Sequence, residues 1–380
     1  MSSGIKQDFN WKIGDQITFV VESGLFEGTF TSEVVGINPR YGIIQIRFPK
    51  LDGKLVLIPV GTAVIVKAEP PKNHDEKFMV IDRTGGETRC LVLKKSTGVA
   101  NRLVNLKQPQ DTRVLSVCSG KGGVGKTTFA VNLAFAIAEL GERVCILDAA
   151  LGTGNVDVLL DIAPRYHIGH VLSGKCGFLD IIAEVKPNLH ILPGCSGVQP
   201  LTELSNYQYN LLADELEQVF PYFDYIIIDT SPGIAAVTTN FISAAKGGFL
   251  ITTPEPHAIT DTYALLKTLV NVEASSLNLN LVVNRVQYRE EAENTVGKLR
   301  FAAKKFLDFE LGYAGFVFED PRVREANMKQ KAVIDYDQSA SSSLNYREIA
   351  RYIFSESPQA GDEKTQGGLI ARIKNIGRRA

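Results

Sequence analysis

The sequence predicts an α/β chain: a doubly wound, mostly parallel sheet preceded by a small antiparallel β-barrel. Three observations predict it. Residues 9–95 carry short β-branched and aromatic runs about ten residues apart, with no helical period between them. From Arg113 onward, apolar runs of five or six residues alternate with helical patterns. Between these textures lies a polar stretch, Lys95–Thr112, that reads as a linker.

In the first part, the expected strands are Ile17–Val21, Thr29–Ile37, Ile43–Phe48, Lys54–Ile58, Ala63–Val66, Lys77–Asp82 and Arg89–Leu93. Gly, Pro, Asn and Asp punctuate them. In the second part, Val114–Cys118, Val144–Leu147, Leu189–Leu192, Tyr225–Ile228, Phe249–Thr252, Leu281–Val283 and Gly315–Val317 read as buried parallel strands. Thr127–Leu140, Tyr207–Val219, Ile259–Val270 and Glu290–Phe306 read as helices covering both faces. The boundaries follow: barrel 1–95, linker 96–112, doubly wound domain 113–355, a polar linker 356–366 and a tail 367–380. In that tail, Leu369, Ile370, Ile373 and Ile376 fall on one helical stripe, with Arg372, Lys374, Arg378 and Arg379 around it.

Composition narrows the function classes. The 380 residues are 44% hydrophobic and 22% charged, with 41 basic and 42 acidic side chains. A wholly basic nucleic-acid coat is not expected from a net charge of −1. No run of about 18 apolar residues spans a membrane, and the opening MSSGIKQDFNWKIGD has no apolar signal-peptide core. The five cysteines, Cys90, Cys118, Cys145, Cys176 and Cys195, form no C-x-x-C pair. Structural zinc, iron–sulfur and disulfide frameworks are disfavoured.

Gly120, Lys121, Gly122, Gly123, Val124, Gly125, Lys126, Thr127 and Thr128 match G-x-x-x-x-G-K-S/T between a buried strand and a helix. Glycines let backbone N–H groups converge on phosphate oxygens, and the helix N-terminus adds its positive dipole end. Lys126 is expected on the β- and γ-phosphates of ATP, and the Thr127 hydroxyl on Mg²⁺. Asp229, at the C-terminal edge of the run YIIID, is the expected Mg²⁺-side partner of Thr127.

The second lysine of the loop, Lys121, makes KGGVGKTT resemble the deviant phosphate loop of the MinD/ParA ATPases. ILDAALGTGNVDVLL resembles their first switch and IIIDTSPG their second. LPGCSGVQPLTELS, TTPEPHAITDTYALLK and FVFEDPRVREANMKQKAVID are most similar to the flagellar-number FlhG/FleN branch. The resemblance covers about 114–354. It implies an ATP-sandwich homodimer in which Lys121 reaches the partner subunit's nucleotide. It further implies Asn284 on the adenine, the loop Glu319–Val323 with Pro321 and Val323 beside the base, and Asn155 at the dimer face near the phosphates.

At one position the chain departs from that family. The first switch usually reads D-x-D-x-G; here it reads Asp148-Ala149-Ala150-Leu151-Gly152. Asp148 is expected to bind a Mg²⁺ water or hold the loop. Ala150 stands where the family's second Asp orients the attacking water. A methyl group cannot do this, so ATP binding with poor hydrolysis is expected. A trapping substitution and a naturally hydrolysis-deficient member both fit.

Residues 9–95 resemble the N-terminal barrel of YcgR-type flagellar brake proteins. Cyclic di-GMP motifs R-x-x-x-R and D/N-x-S-x-x-G are not found in convincing form: Asp337-Gln338-Ser339 lacks the following glycine. The barrel is therefore expected to make protein–protein contacts, with direct dinucleotide binding the weaker reading. The partner-stimulating D-Q-A-x-x-L-R helix of the flagellar ATPases is absent. The tail resembles the membrane-targeting helix of MinD-like proteins. Four large aliphatics at about 2 kcal/mol each are too few to anchor a monomer firmly. Two tails on one dimer bind through avidity.

The leading expectation is an ATPase regulating flagellar placement or number. It is cytoplasmic and peripheral on the inner membrane face when ATP-bound, with flagellar or other polar regulators as partners and nucleic acid not expected. The alternative is a MinD-type division or ParA-type DNA- or cargo-positioning ATPase. A nitrogenase-like reductase needs bridging cysteines, and a bacterial tyrosine kinase needs a Tyr-rich tail; neither feature is present.

Overall fold

The computed structural model describes residues 11–21, 27–38, 43–51, 54–56, 58, 63–67, 76–84, 90–95, 112–152, 154–195, 204–273, 277–355 and 365–379. The chain divides into two compact units, Met1–Asn105 and Leu106–Ala380.

In the first unit the strands are β1 (Gln16–Val21), β2 (Gly28–Asn38), β3 (Ile43–Arg47), β4 (Lys50–Leu51), β5 (Lys54–Leu55), β6 (Ala63–Val66), β7 (Glu76–Thr84) and β8 (Cys90–Lys95). Six of them close an antiparallel barrel in the order β1-β2-β3-β8-β7-β6. Period-2 alternation sends Ile17, Phe19 and Val21 inward, where they meet Ile44, Ile46, Val64, Phe78, Val80 and Leu91. Register shifts at Val34/Gly36 and Val80/Asp82 bend the long strands toward closure. The expected strand Lys54–Ile58 is corrected: it contributes only β5, paired with β4 outside the barrel. Lys54 and Leu55 turn back on Leu51 and Lys50 as a short hairpin, while Val56 and Ile58 are still buried in the barrel core. Val56 N donates to Pro49 O at 2.8 Å.

The second unit runs β9 (Arg113–Cys118), α1 (Lys126–Glu139), β10 (Val144–Ala149), β11 (Ala183–Lys186), β12 (Leu189–Leu192), α2 (Asn206–Val219), β13 (Tyr225–Thr230), α3 (Ala236–Ala245), β14 (Gly247–Thr252), α4 (Pro256–Glu273), β15 (Asn278–Val286), α5 (Arg289–Leu307), β16 (Gly312–Phe318), α6 (Pro321–Met328), α7 (Ser341–Ser355) and α8 (Thr365–Arg379). Single-turn helices at Val156–Leu159, Ile168–Leu172 and Phe178–Ile181 join β10 to β11. The sheet order is β11-β12-β10-β13-β9-β14-β15-β16. Ladders are parallel except β11 against β12. The chain leaves β9 toward one edge and β13 toward the other, which makes the strand ends around β9 the switch point.

Helix α1 is buried almost all round, as its apolar run Phe129–Ala138 requires. Phe129 meets Phe249 edge-on at 5.5 Å and Tyr346 of α7 at 5.9 Å. The sequence reading did not include the half-buried AEVK of β11, nor α3, α6 and α7, which are rich in Thr, Ser or charge; α7 was missed although it is clearly amphipathic.

The expected linkers 96–112 and 356–366 lie largely outside the described residues. Where they are described, they are ordered. Thr112 is buried, and its hydroxyl lies 2.8 Å from Phe220 O and 2.9 Å from Phe223 O. Thr112→Val is expected to cost about 1–2 kcal/mol of stability in denaturant unfolding, because buried carbonyls lose their donor. Thr365 and Gln366 belong to α8, so the tail helix starts earlier than 367. Most of its stripe is covered: Leu369, Ile370 and Ile373 are buried, Ile376 is half-buried, and α8 packs against α2, α3 and β9. Among the described residues, no helix is long and apolar enough to cross a membrane.

Candidate nucleotide site

The loop after β9 turns sharply into α1. Gly125 takes the left-handed conformation (φ 90°), and a Cβ there would sit 2.4 Å from the Asn284 amide nitrogen. Gly120 has no more room: its Cβ would meet the Asp261 carbonyl of α4 at 2.0 Å. Glycine is thus required at both positions by close approach.

Parallel pairing of β9 with β13 brings Asp229 beside this loop. Lys126 Nζ lies 3.1 Å from Asp229 Oδ1, and the Thr127 hydroxyl donates to Asp229 Oδ2 at 2.6 Å. Lys126 and Asp229 are both buried, so each charge needs the other. Gly233 N donates to Ser119 O at 2.9 Å, tying the loop after β13 to the phosphate loop.

Asp148 is the penultimate residue of β10, opposite Asp229 in the β10–β13 register. Its Oδ1 accepts from Ala150 N and its Oδ2 from Val156 N, each at 3.2 Å. The carboxylate therefore clamps the switch loop by both ends. Gly194 and Gly154 crowd it: a Cβ on Gly194 would be 2.7 Å from Asp148 Cγ. Burial first, and the nearby Asp229 charge second, push Asp148 up to about 7 from its ordinary value near 3.8. A carboxyl raised in the folded state contributes stability at low pH and loses it as pH rises through the folded value. The nucleotide-free protein is expected to lose stability between about pH 4 and pH 7. Thermal melts across that range check it; a flat profile would contradict the burial argument.

Ala150 is 6% exposed and offers only its backbone N–H to this cluster. Asn284 lies two residues before the end of β15, and its Nδ2 donates to Val124 O at 2.8 Å. Next to it lies a cavity of about 300 Å³, lined by Gly125, Thr128, Asn284, Phe318, Val323 and Tyr346 among others. Pro321 does not line it; it opens α6, where Asp320 caps the helix by accepting from Arg322 N at 2.9 Å. Asn155 is exposed at the N-cap of the single-turn helix Val156–Leu159. Lys121 is partly exposed. A hydrogen bond from Thr253, then the charges of His257 and Lys121, hold Glu255 below the usual carboxylate range.

The sequence reading missed Gly154 and Gly194, which frame Asp148, and Arg285 and Tyr346 around the cavity. Only Arg285, next to Asn284, carried a local signal. The others act through tertiary approach.

The donor set fits Mg²⁺-ATP: a glycine loop, a buried lysine, a hydroxyl and two carboxylates at one point, beside a cavity of base size. Among the described residues, no separate His/Cys/Asp/Glu group could hold a metal. The cysteines are free thiols, with Cys90, Cys118, Cys145 and Cys195 buried.

A glycine loop at the switch point of a parallel sheet, backed by Lys126, Thr127 and Asp229, defines a P-loop nucleotide-binding protein. Known proteins narrow the class. Residues 112–283 match the family model described as AAA domain, and residues 12–73 match that described as Flagellar protein YcgR. The chain is 36% identical to the antiactivator FleN of Pseudomonas aeruginosa, covering 63% of this chain and 86% of FleN. It is 30% identical to the flagellum site-determining protein YlxH of Helicobacter pylori, over 73% of this chain and 96% of YlxH. The septum site-determining protein MinD of Bacillus subtilis is 31% identical, over 68% and 96%. Among solved structures, the MinC:MinD complex of Aquifex aeolicus aligns with a TM-score of 0.53 at 25% identity, covering 65% of this chain and 97% of that one. The chain belongs to the MinD/ParA-type ATPases, with FleN and YlxH among its relatives and a YcgR-type N-terminal domain.

Proposed function

We propose that this chain is an ATP-switched regulator of flagellar placement or number. ATP closes a homodimer on the inner face of the cell membrane, and slow hydrolysis resets it. The observation that carries the reading is the cluster of Lys126, Thr127 and Asp229 beside Asp148, complete for Mg²⁺-ATP while position 150 holds a methyl group. Lys126 and the loop amides bind the phosphates. Thr127 and Asp229 hold the Mg²⁺, with Asp148 on a metal water or fixing the switch loop. Asn284 and the cavity beside Val323 take the base. Lys121 serves the partner subunit's nucleotide, and Asn155 lies at that dimer face. The flagellar assignment draws on the FleN and YlxH relatives and the YcgR-type domain, for which protein contact is the proposed role.

Membrane association belongs to the same cycle. Leu369, Ile370 and Ile373 cannot lie in the α2–α3 groove and in a bilayer at once. Docking therefore reduces membrane affinity by the fraction of tails left free. ATP-driven dimerisation offers two tails to one surface. Sedimentation and flotation with anionic vesicles test this. With ATP, wild type is expected to dimerise and float, Lys121→Ala to stay monomeric, and a chain ending at 364 to dimerise without floating. ATP-independent flotation, or a monomer at saturating ATP, would overturn the reading.

A further inference from the structure

Helix α5 buries one face and presents the other to solvent. Ala292, Thr295, Val296, Leu299 and Ala303 lie on the buried side. Glu290, Asn294, Gly297, Phe301 and Lys305, spaced by four, three, four and four residues, form one exposed stripe. Phe301 is 63% exposed, an aromatic ring left in water beside a core face that is already filled.

No contact within the chain requires Gly297. A Cβ there would meet nothing within 4 Å, and its φ is not left-handed. Glycine is a poor helix former, so in mid-helix it weakens α5 without relieving any contact of its own. An exposed gap one turn from an exposed ring is what close approach of a second helix uses. Charge is divided along the same helix: the first turn carries Glu290 and Glu291, the last Lys304 and Lys305. Some of these charges are matched within the chain. Glu293 pairs with Arg289 at 3.1 Å, and Lys304 with Asp308 and Glu310 at 3.0 Å each. Among the described residues, Glu290 and Lys305 form no ion pair. The Lys305 amine lies 5.3 Å from the ring centroids of both Phe301 and Phe306.

We propose that this face of α5 is a self-association surface, and that its partner is the same face of a second copy of the chain, running antiparallel. The two-fold axis passes near Gly297 and Lys298, at the middle of the 19-residue helix. Glu290 of each copy then meets Lys305 of the other, and each Phe301 lies over the other copy's Asn294 and Gly297. A face acidic at one end and basic at the other complements its own antiparallel copy. It suits an anionic membrane less well, because Glu290, Glu291 and Glu293 share it. A strip about 28 Å long and about 10 Å wide falls below the roughly 1,000 Å² of a stable interface. The contact is therefore weak and gains wherever copies are concentrated. No residue of α5 lines the base cavity. On the ATP-dimer reading above, a second two-fold contact joins dimers into larger assemblies; that consequence rests on the reading, and the α5 contact does not.

Sedimentation equilibrium of the nucleotide-free full chain over a concentration series tests the contact apart from ATP. Wild type is expected to self-associate weakly, and Lys121→Ala to do the same. Glu290→Lys and Lys305→Glu each turn both end contacts from attractive to repulsive, and each is expected to weaken association at least about tenfold. Mixed in equal amounts, the two variants should recover wild-type association, because each supplies the charge that the other lacks. Gly297→Gln fills the gap and improves the helix. It is expected to weaken association while raising the melting temperature by about 2–3 °C. A wild type that stays monomeric throughout, or variants that associate as wild type does, overturns the proposal. Variants that are weak alone and no stronger when mixed overturn the antiparallel pairing. Flotation of a chain ending at 364 on phosphatidylglycerol vesicles, abolished by Lys305→Glu with self-association unchanged, would assign the face to lipid and overturn it as well.

Discussion

Ala150→Asp is expected to raise phosphate release from ATP by about two orders of magnitude, the scale on which positioned proton acceptors act. The surroundings support a specific gain. The backbone at 150 is already fixed, because Ala150 N donates to Asp148 Oδ1. The position is nearly enclosed, so a carboxylate there would be largely withdrawn from bulk water. Lys126, Thr127 and Asp229 are in place without it. The same substitution puts a third carboxylate near Asp148 and Asp229. Since burial and then the Asp229 charge already raise Asp148, the nucleotide-free variant is expected to melt below wild type. Mg²⁺-ATP should remove that difference by supplying positive charge. Single-turnover phosphate release, with and without vesicles, measures the first effect and thermal melts the second. An unchanged rate together with the lower melting temperature would show a carboxylate that is present but does not position water. The claim that Ala150 limits hydrolysis would then fall.

What the sequence discloses here is mostly what local chemistry determines. The phosphate loop was legible to the residue, because only glycine tolerates the left-handed turn at Gly125 and the contact at Gly120. Asp229 was legible as the acid ending an apolar strand. The barrel was legible through alternation, yet its strand count was not. The run Lys54–Ile58 looks like a barrel strand, yet its ladder is a short hairpin with Lys50–Leu51. Gly154 and Gly194 were not legible as parts of the site. Nothing in their neighbourhoods in the chain announces that Asp148 folds against both. The tail shows the limit most clearly. Its stripe of Leu369, Ile370 and Ile373 says that something apolar covers it, but a stripe carries no information about whether that cover is a bilayer or a groove. Only the packing of α8 on α2 and α3 adds the second partner. Lys374 has the same ambiguity in charge: a basic residue beside an apolar stripe serves a lipid phosphate or an α2 carboxylate equally well.

That double duty makes Ile373→Asp the substitution with the largest expected effect on localisation. Ile373 is 1% exposed and lies three and four residues from Ile370 and Leu369, on the covered face. Removing its aliphatic side chain forfeits about 2 kcal/mol of transfer energy wherever the tail binds. Adding a carboxylate opposes both destinations, since an apolar groove and an anionic bilayer each disfavour it. The effect doubles in a dimer, because avidity multiplies the affinities of two tails. ATP-dependent flotation is therefore expected to fall by at least about 100-fold. Hydrogen exchange over 365–379 should approach that of an unprotected chain in the same variant. ATP binding should be unchanged, because α8 contributes no residue to the cavity or to the Lys126–Asp229 cluster. Ile373→Leu keeps the volume and should leave both effects near wild type. Two departures would be informative. Loss of flotation with the tail still protected would mean that the groove tolerates the charge and the bilayer does not. Retained flotation with a freely exchanging tail would move the membrane contact off α8 altogether.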